Sequence, residues 1–273
     1  MNRSTRGALT GRLSVFRHLL LFLLLVPVTA PADDNPCRPA SYDDRVHISY
    51  VIDGDTVVLA SGEKLRLIGL DTPELGRDGA TDEPGAVAAR LYLQQLLQAD
   101  ASYPLSLDRE QRDRYGRLLG HLFLPDGQNV QAMLLAEGLG TPFAFPPNLR
   151  FIACYYQQAG LARDNRKGVW RLPRYQPLNV SALTGAERGY HVISGRVSRV
   201  GNSRSSLWLN LSDRFAIRIQ RSDLKYFDGL DLSGLTGKDV TVRGMIYRSN
   251  GRQRIRIRHP GDLQLPPLLP KTH

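Results

Sequence analysis

The sequence predicts a mainly β chain with helices (α+β) in two domains. The first has the element order βββαββαα, and the second has five strands that suggest a small barrel. Three observations carry this. The 273 residues exceed the usual length of one domain. Short β-rich runs separated by turn dipeptides occur in both halves. The charge is also split: the formal net charge is +10, yet residues 33–189 hold 17 basic and 20 acidic residues, whereas residues 190–273 hold 15 basic and 6 acidic. Hydrophobic residues at 42% and charged residues at 23% exclude wholesale disorder and fibrous compositions.

Residues 46–52, 56–60 and 64–70 are β-rich and separated by Asp53-Gly54 and Ser61-Gly62, which are hairpin signals. Pro84 fits the first position of a helix that ends near Asp100, with Val87, Leu91, Leu93, Leu96 and Leu97 at roughly helical spacing. Strands follow at 103–107 and 118–124, before the Pro125-Asp126-Gly127 turn. Asn129 can cap a helix stopped by Gly138, and Asn148 can cap another that runs to about Asp164. Residues 173–189, with Pro173 and Pro177, read as a linker. Beyond it, 191–200, 206–211, 214–220, 239–247 and 252–258 read as the five strands of a barrel of the oligonucleotide-binding (OB) type. A tail is expected at 266–273.

Residues 1–32 combine Arg3, Arg6, Arg12 and Arg17 with an apolar run at 19–26, Pro27 and a small-residue end. This predicts a signal peptide cleaved after Ala32, hence a periplasmic or secreted protein without a stable membrane anchor. Two cysteines in an oxidising compartment predict a Cys37–Cys154 disulfide. No Cys/His cluster has zinc-ligand spacing.

Acidic and basic residues recur at the strand ends of the first domain: Asp53-Gly54-Asp55-Thr56, Arg66, Asp71-Thr72-Pro73-Glu74 and Asp113-Arg114-Tyr115-Gly116-Arg117. Each alone has a structural explanation as a turn, a helix start or a solvated loop. Together they suit one chemistry. Asp55 and Asp71 can give two carboxylates to a hard cation, with a backbone carbonyl and waters completing its shell. Arg66 and Arg117 present planar forks to phosphate oxygens and can stabilise charge on a pentacovalent phosphorus. Glu74 is placed to orient or deprotonate a water. These are the parts of a phosphodiester hydrolase.

In this set, its spacing and the closing Lys167-Gly168-Val169-Trp170, residues 45–172 resemble the staphylococcal (micrococcal) nuclease family, or thermonucleases. The resemblance implies a five-stranded OB-fold barrel with helices over residues 33–172. It implies Ca²⁺ held by Asp55, Asp71 and the Thr72 carbonyl, with Glu74 acting on water and Arg66 and Arg117 clamping the phosphate. It also implies endonucleolytic cleavage of DNA and RNA to 3′-phosphate and 5′-hydroxyl ends. Arg114 matches a nucleotide-contacting basic residue, and Tyr115 lies beside it. Phe143 and Phe145 stand where the family's best-known member has tyrosines. They keep an apolar wall against a base but lack hydroxyl contacts to a terminal phosphate.

In the basic 190–265 domain, Arg252, Arg254, Arg256 and Arg258 fall on every second residue, opposite Ile255 and Ile257. In a strand they stand about 6.7 Å apart on one face, able to follow a nucleic-acid backbone or to guard an edge against aggregation. Trp208, Tyr247 and Phe227 are candidates either for base stacking or for the core. The whole reads as an exported, monomeric, calcium-dependent nuclease acting on DNA and/or RNA, with single strands preferred. The alternatives are a non-catalytic nucleic-acid-binding protein built on nuclease-like barrels and a structural envelope protein. The complete set Asp55, Arg66, Asp71, Glu74 and Arg117 argues for the enzyme.

Overall fold

The computed structural model describes residues 37–98 and 101–265; the expected signal peptide at 1–32 and tail at 266–273 lie outside the described residues. The described residues fall in one compact unit with two hydrophobic cores. No helix among the described residues is long and apolar enough to cross a membrane.

The first core is built from β1 (Asp44–Val51), β2 (Thr56–Leu59), β3 (Lys64–Leu67), β4 (Gly69–Asp71), α1 (Ala86–Leu96), β5 (Ser102–Arg112), β6 (Leu118–Leu122), α2 (Val130–Ala136), β7 (Thr141–Phe143) and α3 (Ile152–Asp164). Five strands close a barrel in the order β1-β2-β3-β6-β5, with β3 and β6 parallel. Alternation sends Leu65 and Leu67 inward on β3 and leaves Lys64 exposed. Val57, Leu105 and Leu122 join them in the core.

The apolar run at 64–70 is two strands. Gly69 takes φ +90°, and the chain leaves the barrel there to pair as β4 with β7, Gly69 opposite Phe143 and Asp71 opposite Thr141. A side chain at Gly69 would overlap the Tyr155 ring. Helix α1 begins after Gly85, not at Pro84, and stops at Leu96, before Asp100. Asn129 caps α2 as expected, accepting from the Ala132 N–H at 3.0 Å. Asn148 caps nothing: its amide accepts from the Glu110 N–H and donates to the Glu110 carbonyl, both at 2.8 Å. α3 instead starts after Phe151.

Several buried polar groups in this core satisfy one another. The Gln131 side chain accepts from the Leu122 N–H and donates to the Gly120 carbonyl. The Tyr155 hydroxyl meets His121 Nδ1 at 2.8 Å and accepts from Asn129 at 3.2 Å. Cys37 and Cys154 form the expected disulfide, with Cα atoms 5.3 Å apart, and fasten the chain near residue 37 to α3.

The second core lies within β8 (Pro177–Asn179), β9 (Gly189–Arg196), β10 (Arg199–Asn202), β11 (Ser206–Asn210), β12 (Phe215–Gln220), β13 (Asp239–Ser249), β14 (Arg252–Ile257) and β15 (Leu263–Gln264). The expected strand at 191–200 bends at Val197-Ser198. Its first half, β9, pairs with β13 and its second half, β10, pairs with β11. One chain segment therefore supplies β10 at one end of the sheet and β9 next to the other, in the order β10-β11-β12-β14-β13-β9-β8 with β15 beside β13, more strands than the five expected. The segment expected as a linker contributes β8, which pairs in parallel with β9. Phe227 is core and not a stacking surface.

Candidate active site

The turn between β1 and β2 is closed by hydrogen bonds from the Ile52 and Asp53 N–H groups to the Thr56 carbonyl. It carries the first carboxylates to the barrel mouth. Asp55 is buried. Its Oδ2 accepts from the Thr72 N–H at 3.2 Å and from the Thr72 hydroxyl at 3.1 Å, and its Oδ1 accepts from Thr56. Thr72 thus holds Asp55 while following Asp71 directly. Because β4 has peeled away at Gly69, the 71–74 segment passes over the mouth that Asp55 occupies.

Arg66, on β3, pairs with both carboxylates. One guanidinium nitrogen contacts Asp55 Oδ1, and Nη2 lies 3.1 Å from Asp71 Oδ1. Burial lowers the Arg66 pKa against the pull of Asp71. Burial likewise raises the Asp71 carboxyl, with Arg66 opposing. Two carboxylates therefore converge on one positive centre, and hard oxygen donors arranged in this way fit a divalent cation. Asp55, Asp71 and Thr72 could hold it. No group of three or more His, Cys, Asp or Glu among the described residues is close enough to form a metal cage by itself, so backbone and water oxygens would have to complete the shell.

Glu74 is exposed at the rim of the same cleft, about 810 Å³, which Asp55, Arg66, Tyr115 and Arg117 also line. Its backbone is pinned in both directions: the Glu74 N–H donates to Glu83 Oε2 at 3.2 Å, and the Glu83 N–H donates to the Glu74 carbonyl at 2.9 Å. The 75–82 segment is thereby a closed excursion. Burial, then the neighbouring Asp53 carboxylate, raises the Glu74 pKa, toward the range of a base working near neutrality.

Arg117 sits opposite, its Nε donating to Asp113 Oδ2 at 2.7 Å. Tyr115 is 69% exposed, with the guanidinium of Arg114 4.7 Å and that of Arg117 5.8 Å from its ring centre. A second cleft of about 520 Å³ shares Arg66, Tyr115 and Arg117 with the first and runs to Phe143 and Phe145. Those two rings are exposed and stack at 6.0 Å.

Residues 64–172 match the family model described as staphylococcal nuclease homologue. The chain is 32% identical over 143 residues to the thermonuclease of Staphylococcus intermedius, covering 50% of this chain and 84% of that one. It belongs to the staphylococcal nuclease family. Membership makes it a phosphodiester-hydrolysing nuclease. Other similar proteins are endonuclease YncB of Bacillus subtilis (strain 168), 30% identical over 136 residues (48% of this chain, 64% of that one), and an uncharacterized endonuclease of Escherichia coli, 32% identical over 131 residues (47% and 78%). The family match ends at residue 172, before β8.

The structure brings Asp55, Arg66, Glu74 and Arg117 to one cleft, with Asp71 joined to it through Arg66 and Thr72 through Asp55, and with Arg114, Tyr115, Phe143 and Phe145 along its continuation. Arg252, Arg254 and Arg256 lie on β14 and Arg258 directly after it, and their row is not uniformly free. Arg256 Nη2 lies 2.8 Å and Arg258 Nε 3.6 Å from Asp223 Oδ2, a buried carboxylate. Two contributors stand in the sequence motifs without a role assigned to them. Asp53 is buried in the site and accepts from the Asp55 N–H. Asp113 fixes Arg117. Arg258, expected on a nucleic-acid face, places its guanidinium 4.0 Å from the centre of the Phe145 ring, a neighbour the sequence did not predict. The doubled acid of Asp53-Gly54-Asp55 was a legible signal for the first, whereas contacts between sequence-distant residues carry no local signal.

Proposed function

We propose that the chain is an exported, calcium-dependent endonuclease acting on single-stranded DNA or RNA as a monomer, and leaving 3′-phosphate and 5′-hydroxyl ends. The observation that carries this is the convergence of Asp55, Arg66, Arg117 and Glu74 on one open cleft, with Asp71 paired to Arg66. Bound at Asp55, Asp71 and the Thr72 carbonyl, calcium would supply positive charge that polarises the phosphodiester. Arg66 and Arg117 bind the phosphate oxygens and meet the charge that grows on phosphorus. Glu74, its backbone anchored to Glu83, accepts a proton from the attacking water. Asp113 orients Arg117. Export rests on the leader-like sequence and agrees with the Cys37–Cys154 bond, because disulfides persist in oxidising compartments.

The test is hydrolysis of single-stranded DNA by the purified chain, with calcium or with a chelator, beside Glu74→Gln. The expected result is calcium-dependent cleavage that falls by roughly 10²–10⁴ in the variant. Tight, salt-sensitive binding with no cleavage under any divalent ion would overturn the proposal in favour of a binding module.

A further inference from the structure

On β14, Ile255 and Ile257 are fully buried in the second core, so the alternating Arg254 and Arg256 stand on the outer face. Register extends this face sideways: Trp208 is opposite Arg218 and Arg218 opposite Arg256, while Asn210 is opposite Ala216 and Ala216 opposite Arg254. The Trp208 ring is partly exposed and lies between two cations, with the Arg254 guanidinium 4.6 Å and that of Arg218 5.4 Å from its centre. A cleft of about 320 Å³ opens beside it, lined by Arg199, Asn210, Asp213, Arg252 and Arg254. Among the described residues, Arg199, Arg218, Arg252 and Arg254 make no ion pair.

This face is continuous with the catalytic cleft through a chain of neighbouring side chains. Phe143 stacks on Phe145, Phe145 carries Arg258, Arg258 shares Asp223 with Arg256, and Arg256 lies in register beside Arg218, which reaches Trp208. Two guanidinium groups share one carboxylate in that chain, so positive charge persists along it. From Arg258 to Arg254 the strand covers about 13 Å.

We propose that the second sheet extends the substrate track of the catalytic cleft. A single nucleic-acid strand leaves the site over Phe143 and Phe145, follows Arg258 and Arg256 with its phosphates, and stacks a base on Trp208, with Arg218 and Arg254 on the phosphates that flank that base. This rests on the nuclease reading and deepens it: the preferred substrate is a strand long enough to reach both sheets. The chemistry is that of a stacking platform in a basic groove, which takes any base because every base has a π-face. It confers length preference and not sequence preference.

The chain has two tryptophans, and Trp170 is 2% exposed in the first core, so a bound base can quench only Trp208 by contact. The experiment uses the full chain carrying Glu74→Gln, with labelled oligothymidylates of 4 and 24 nucleotides. Anisotropy reads binding and intrinsic fluorescence reads stacking. The 24-mer should bind more tightly than the 4-mer and quench tryptophan emission. Trp208→Ala should weaken 24-mer binding by roughly 5- to 150-fold, the range of one stacked base, and narrow the gap between the two lengths. Arg218→Gln with Arg254→Gln, which keeps the aromatic ring, should lower the salt slope by about 1.4, the loss of two single-strand phosphate contacts. Binding of the 24-mer without quenching, affinity unmoved in both variants, or no length preference each overturns the proposal. Failure of the nuclease reading is seen separately, as no hydrolysis by the unaltered chain.

Discussion

Tyr156, on α3 of the first core, donates a 2.6 Å hydrogen bond to Asp262, in the turn between β14 and β15 of the second. His259 stacks on the same tyrosine, ring centres 5.2 Å apart. Arg243 donates to the neighbouring Gly261 carbonyl at 3.0 Å. Burial raises the Asp262 pKa from 3.8 to about 7, although Tyr156 and Arg243 both pull it down. The groups facing it are Tyr156, Arg243, Tyr190 and His259, whose own pKa burial lowers. Below pH 3.8 Asp262 is protonated in both folded and unfolded chains. Between 3.8 and about 7 only the folded chain holds the proton, so stability from this group falls as pH rises, by about 1.4 kcal/mol per pH unit. Urea unfolding at pH 5 and pH 7.5 should therefore show a drop that Asp262→Asn removes. Equal pH dependence in the two proteins would sink this account.

The Cys37–Cys154 bond closes a separation of 117 residues. Such a crosslink stabilises chiefly by restricting the unfolded chain, by about 4–5 kcal/mol on the chain-entropy model. Cys154 lies fully buried on α3 beside Tyr155, so the constraint acts directly on the first core. Reduction, or Cys37→Ser with Cys154→Ser, should lower the thermal midpoint by about 10 °C. An unchanged midpoint in both treatments would contradict it.

Turn chemistry made much of this fold legible. Asp53-Gly54 and Ser61-Gly62 mark real hairpins and Pro125-Asp126-Gly127 the turn between β6 and α2, and the polar set around the first belongs to the site itself. The misreadings share one cause, which is that distant partners override local pattern. Residues 64–70 are apolar on both sides of Gly69, so nothing local announces that β4 will leave for β7. Asn148 has the chemistry of a helix cap, but Glu110, 38 residues away, uses both ends of its amide. Three residues of β8 are too few to show a period. The arginine periodicity at 252–258 correctly predicted the face, whereas the neutralising Asp223 lies about 30 residues upstream in a 3-10 turn.

Gly69 joins fold to chemistry. At φ +90° a residue with a side chain is strained by about 1–3 kcal/mol, and the added methyl would meet the Tyr155 ring, itself held by His121 and Asn129. Gly69→Ala should therefore destabilise by roughly 2–5 kcal/mol. Because β4 carries Asp71 in register with Thr141, activity should fall at temperatures where the variant is still folded. Chemical unfolding and single-strand hydrolysis at 15 °C measure the two effects. Full activity with a displaced unfolding curve would separate Gly69 from the site.

Asp113 is placed to act on the reaction through Arg117. Its Oδ1 accepts from the N–H groups of Tyr115 and Arg117 at 2.9 and 3.0 Å, and its Oδ2 accepts from Arg117 Nε at 2.7 Å. Burial pushes the Asp113 carboxyl up, but these bonds, led by Arg117, outweigh it and hold the pKa below the ordinary value. The carboxylate thus stays ionised and aims the remaining guanidinium donors at the cleft. Asp113→Asn preserves the shape and weakens the hold, and a displacement on the order of 1 Å is enough to lose up to about 100-fold in rate. The loss should fall on kcat more than on KM, since Arg117 is assigned to charge that develops in the transition state. The decisive comparison is a double-mutant cycle. If Asp113 works through Arg117, Asp113→Asn should cost almost nothing further once Arg117→Ala is in place. Additive losses would mean that Asp113 has a role of its own.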